Sequence, residues 1–123
     1  MIPKFRVWLP DPDVERMLRV KALVFEDDNT RCVCGYAYDF YLEDEDAILM
    51  QSTGLLDKDS KEIFDGDILA VKTKNETLIV NVFWDNEHAL FMVESKAYNK
   101  KAALAELIED NSPITIIGNI YEK

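Results

Sequence analysis

"LMQSTGLLDKDSKEIFDGDILAV", Leu49–Val71, carries two of the four glycines of this 123-residue chain and much of its turn chemistry. Its parts read in series. Ala47–Gln51 forms a short strand that Thr53-Gly54 ends, "DKDSK" has the composition of a tight turn, "EIF" is a brief extended piece, and Asp65-Gly66-Asp67 makes a second turn. The aliphatic run "ILAVKT" that follows is a strand entered directly from that turn. The stretch therefore reads as a turn-rich connector, residues 49–66, leading into a small β-barrel.

Outward from this block the period-two signal continues. "KNET" is a hairpin turn, and "LIVNVFW" alternates Leu78, Val80, Val82 and Trp84 against Ile79 and Phe83. "DNEHA" turns the chain into "LFMVE". From Ser95 the spacing changes: Ala97, Leu104, Leu107 and Ile108 make one apolar stripe, which predicts a helix over about 97–110. Its lysines lie near the start and its acids near the end, against the helix dipole. Pro113 blocks continuation, and "ITIIGNIYEK" is a last strand bent or bulged at Gly118.

Before the block, "KFRVW" is a strand stopped by "LPDPD", and residues 16–26 read as a second strand. Residues 31–42 read as a third, with Tyr36, Tyr38 and Phe40 on one face. The whole is one domain, mainly β with one α-helix: an N-terminal β unit (1–48) packed against a C-terminal SH3-like or related small barrel (67–123).

Composition narrows the function classes. With 24 acidic against 14 basic residues the formal net charge is −10, a field that repels phosphate and anionic lipid. Lys96, Lys100 and Lys101 are the densest basic group and read as a solvated face. Aromatics on the third strand suit base stacking, but their flanks are acidic, so core packing is the preferred account. No apolar stretch is long enough to span a membrane, and Pro10 interrupts any leader-like region, so the expected location is cytoplasmic. Cys32 and Cys34, the only cysteines, are too few for a closed zinc site and read as two reduced thiols.

Candidate chemistry is sparse. "DKDSKE" offers Asp57, Asp59 and Glu62 but fails as a calcium loop, because Lys61 and Glu62 stand where a ligand and a glycine are required. The single histidine, His88, follows Asp85 by three residues in a polar hairpin tip. Together with Trp84 they are candidates for a surface site. Ser52, Thr53 and Ser95 lie in no nucleophile motif, and the glycines are too dispersed for a phosphate loop. The sequence thus points to no catalytic residue, cofactor, metal or small-molecule substrate.

The blocks "KFRVW", "LMQSTGLLDKDSKEIFDGDILAV", "VFWDNEHALF" and "IIGNIYEK", in this order, resemble the YopX family of phage and prophage proteins over nearly the whole chain. In that family the middle block reads M-Q-(aromatic)-T-G-L-x-D-x-x-G-x-x-I-(aromatic)-x-G-D-I. Gln51, Thr53, Gly54, Leu55, Asp57, Ile63, Phe64, Gly66, Asp67 and Ile68 match it, and Gly118 and Asn119 belong to the terminal block. Ser52 replaces an aromatic residue and Ser60 a turn glycine; either Ser60 takes a strained positive φ or the turn shifts that role to Asp59. "LPDPDVERM" also departs from the polar, lysine-rich turn of relatives. The resemblance implies a mainly β protein of a mobile element, in bacterial cytoplasm, for which self-association is expected. It transfers no catalytic residue, and the signature residues read as structural.

Three functions stay open: a non-enzymatic accessory protein with a protein partner or homo-oligomer, a nucleic-acid role by local binding or acidic mimicry, and a small hydrolase using Asp67, Asp85 or His88.

Overall fold

The computed structural model describes residues 3–35 and 39–122. It is mainly β, with one short helix. The chain forms two compact units, Met1–Ser52 and Thr53–Lys123.

In the first unit, β1 (Phe5–Leu9) lies between β2 (Arg16–Arg19) and the start of β6 (Ile48–Leu56), antiparallel to both, with Val7 opposite Leu18 and Leu49. Val7, Trp8 and Leu9 are all buried, so both faces of β1 are covered. The turn after β1 is closed by Asp11, whose carbonyl accepts the Val14 and Glu15 amides at 2.8 Å while its carboxylate accepts Asp13 N–H. A separate three-stranded meander holds β3 (Ala22–Phe25), β4 (Thr30–Val33) and β5 (Asp39–Tyr41). The expected strand over 16–26 is thus two strands in different sheets, parted at Val20 and Lys21. The expected strand over 31–42 is likewise divided. Tyr36 and Tyr38 of the expected aromatic face lie outside the described residues.

β6 is longer than the sequence suggests. Gly54 takes φ 77° and lets the strand continue to Leu56, where a turn leads to β7 (Glu62–Phe64). Much of the expected connector is therefore strand, and only the turns at residues 57–61 and 65–66 keep that character.

The second unit is built on a five-stranded antiparallel sheet in the order β11-β10-β9-β8-β12: β11 (Lys100–Ala103), β10 (Leu90–Ser95), β9 (Thr77–Asp85), β8 (Asp67–Lys72) and β12 (Ile114–Asn119). Alternation holds as read. Leu69, Val71, Val80, Val82 and Val93 point to one face and join Ile63, Leu104 and Ile114 in the core. The register of β12 on β8 shifts between Ile116 and Gly118, the irregularity expected there.

The helix differs from expectation. Residues 100–103 pair with β10, Ala102 opposite Val93, and α1 spans only Leu104–Glu109. The stretch "SKAYNK" closes a hairpin instead, with Asn99 in the left-handed region at φ 51°, a conformation asparagine tolerates better than most residues. The apparent conflict with the helix dipole is reduced: the lysines precede the helix and Glu106 stands in its first turn, while Glu109 and Asp110 stay at its C-terminal end. Leu104 is buried, Leu107 and Ile108 pack on the core, and Asn111 at φ 58° ends the helix two residues before Pro113. No helix among the described residues is long and apolar enough to cross a membrane.

Candidate functional site

Two groups of residues singled out from the sequence come together in space. The first is the signature block. Thr53 is buried; its hydroxyl donates to the Ile63 carbonyl at 2.8 Å and accepts the Leu55 amide at 3.1 Å, which fixes β6 to β7 on either side of Gly54. Asp57, 7% exposed, closes the next turn: Oδ1 accepts the amides of Asp59 and Lys61, both at 2.9 Å. Its Oδ2 accepts the amide of Ile116 in β12 at 3.1 Å. Burial works to raise this carboxyl's pKa, but the three amides and the Lys61 charge outweigh it and hold the group below the usual aspartate value. Within the same turn Ser60 has φ 64°, so the residue in the glycine position does adopt the left-handed conformation.

Asp67, 1% exposed, accepts the Phe64 amide at 2.8 Å across the Gly66 turn. Gly66 has φ 88°; its amide donates to the Val82 carbonyl and its carbonyl accepts Ile120 N–H, each at 2.9 Å. Asn119 sits opposite Asp67 and accepts the amides of Tyr121 and Glu122 at 3.0 and 2.8 Å. Gly118 pairs with Ile68 at the bulge, and Gln51 pairs with Phe5 in the first unit. These side-chain oxygens are occupied by backbone amides. Their chemistry is that of turn closure and strand attachment.

The second group is the β9–β10 tip. Asp85 Oδ1 accepts the amides of Glu87 and His88, and Oδ2 lies 2.8 Å from His88 Nδ1. That side-chain bond, helped by the backbone amides, lowers the Asp85 pKa against an opposing effect of desolvation. The turn also gathers one potential ligand atom each from Asp85, Glu87 and His88 within 4.8 Å of one another. An exposed set of two carboxylates and an imidazole suits at most a loosely held divalent cation. Trp84 is engaged elsewhere, edge to face on Phe91 with centroids 5.0 Å apart.

Among the hydroxyls weighed as nucleophiles, Ser52 and Thr53 are buried in β6 and Ser95 is buried at the end of β10. The lysine group is divided between the two faces of the β10–β11 hairpin, with the Lys101 ammonium 5.8 Å from the Phe83 ring centre. Cys32 and Cys34 are free thiols with sulfurs 3.7 Å apart, and burial, aided by Cys34, pushes the Cys32 pKa up to about 12.

Sequence reading did not find the outer face of the sheet. There Ile68, Ile79, Ala97 and Ile120 line an open hollow of about 330 Å³, with Asn81 and Lys96 at its margin. Ile79 and Ile120 are each 52% exposed. The available signal was Ile79 itself, an aliphatic residue on the face of β9 opposite the Leu78-Val80-Val82 row.

The fold is shared with solved structures. The protein EF1440 from Enterococcus faecalis is similar at 25% identity and a TM-score of 0.66, over 99% of this chain and 95% of that one. The yopX protein from Bacillus subtilis is similar at 17% identity and a TM-score of 0.69, over 98% and 94% of the two chains. No curated protein matches the sequence. The family described as YopX protein matches residues 4–123, and the chain belongs to that family.

Proposed function

We propose that this is a non-enzymatic accessory protein of a phage or prophage, acting in the bacterial cytoplasm through protein–protein contact, and that its first partner is a second copy of itself. The observation that carries this reading is the exposed aliphatic hollow around Ile79 and Ile120. Grouped aliphatic side chains left open to water favour association, because covering them removes apolar surface from solvent.

Charge supports a second copy as the occupant. Two chains of net charge −10 repel each other overall, and least where the facing surfaces are poor in carboxylates; the lining of this hollow contains one lysine and no acid, with Glu94 beside it opposite Asn81. An isologous pairing would set the same aliphatic face on both sides. Light scattering on a sizing column at moderate salt tests the reading. A discrete oligomer is expected; a monomer at every concentration overturns it.

A further inference from the structure

We propose that the second unit binds a small amphipathic organic acid, its apolar tail under α1 and its carboxylate at Ser95 and Lys100. The starting observation is a cavity of about 190 Å³ between the inner face of the sheet and the helix, walled by Val80, Val93, Ala102 and Leu107 among others. Buried apolar surface normally closes on itself, and an apolar cavity of about 150 Å³ is enough to hold benzene. This one has room for a somewhat longer hydrocarbon.

A second, independent observation is Ser95. It is 5% exposed, lines the cavity, and its hydroxyl finds no hydrogen-bond partner among the described residues. Its neighbours explain the isolation. The β10–β11 register sets Ser95 opposite Lys100, while the β9–β10 register, continued by one residue, sets it beside Val80. Ser95 is thus the single hydroxyl among the residues that line the cavity, set among aliphatic side chains, where a buried donor left unpaired is destabilising.

The cation gives the ligand its sign. Lys100 shares the face of Ser95 and is exposed, so its end of the cavity opens to solvent; Lys101 also borders the cavity but holds its ammonium over Phe83, on the other face. A carboxylate placed there accepts from both the Ser95 hydroxyl and the Lys100 ammonium. The tail then lies along Val80, Val93 and Leu107.

The test is titration of the intact protein with octanoate, 1-octanol and octylamine, three probes with one tail and different heads, followed by amide chemical shifts. Octanoate is expected to bind with a Kd of about 1 mM or tighter and octylamine at least about tenfold more weakly. The shifts should centre on Ser95, Ala102 and Leu107. Lys100→Met should remove the preference for octanoate over octanol, and Ser95→Ala should weaken both. Ala102→Phe should fill the cavity and abolish binding; should that variant not fold, the shift map on the native protein locates the site. Absence of saturable shifts at these residues overturns the proposal, as does equal binding of octanoate and octylamine. Failure here leaves the outer-face association untouched, since that reading rests on different residues.

Discussion

The carboxylate of Asp57 accepts a hydrogen bond at 3.1 Å from the amide of Ile116, 59 residues further along the chain. Through it the turn between β6 and β7 is tied to the last strand, and the Lys58 amide adds a bond to the Ile114 carbonyl at 2.9 Å. The middle and terminal blocks of the sequence, already paired through β8 and β12, are tied a second time by this side chain. Removing its oxygens in Asp57→Ala leaves three amides to find other partners, and a loss of about 2–4 kcal/mol of folding stability is expected by urea denaturation. A loss within experimental error of zero would remove Asp57 from this role.

The same carboxylate sets an acid dependence. Its pKa in the folded chain is below the unfolded value of about 3.9, so its contribution is complete above that value and is lost as the pH falls through the folded one. Between pH 5 and pH 2, which lie about one unit above and two units below the unfolded value, Asp57→Asn should therefore lose less stability than the native chain. Parallel acid limbs for the two proteins would contradict the assignment.

Ser60 holds φ 64° in an exposed turn without the freedom of glycine. Ser60→Gly is expected to stabilise the fold by about 0.5–1 kcal/mol, the relief of left-handed strain exceeding the added entropy of the unfolded chain. A lower urea midpoint in the glycine variant would show that the serine is not strained.

Cys32 and Cys34 are neighbours of unequal access. Cys32 is fully buried with its pKa raised to about 12, and Cys34, also raised by burial, is half-buried. Alkylation of the native protein at neutral pH followed by peptide mass mapping should therefore label Cys34 first and leave Cys32 until denaturant is added. Equal native rates would contradict the described packing of β4.

Much of the second unit was legible because its strands obey a single rule. Val80 and Val82 alternate with Ile79 and Phe83, and the register follows. The glycines at 54 and 66 marked real positive-φ sites, but Gly54 extends β6 where a turn was expected. The helix was misread because Ala102 and Ala103 favour a helix in isolation, whereas pairing with Val93 and Met92 holds them extended. Of the sites, the Asp85–His88 contact was visible as an i, i+3 spacing. The Ser95 cavity was not, since an isolated serine after "LFMVE" carries no sign of what the neighbouring strands β9 and β11 will set around it.

The outer face of the sheet gives the most direct test of how this chain works. Ile79 and Ile120 are exposed, so Ile79→Lys and Ile120→Glu should leave the fold intact while opposing any partner that covers the hollow. Light scattering of the native protein beside the double variant is the measurement to make. A discrete oligomer is expected for the native chain and a folded monomer for the variant. Two monomers, or the same oligomer from both, would contradict it.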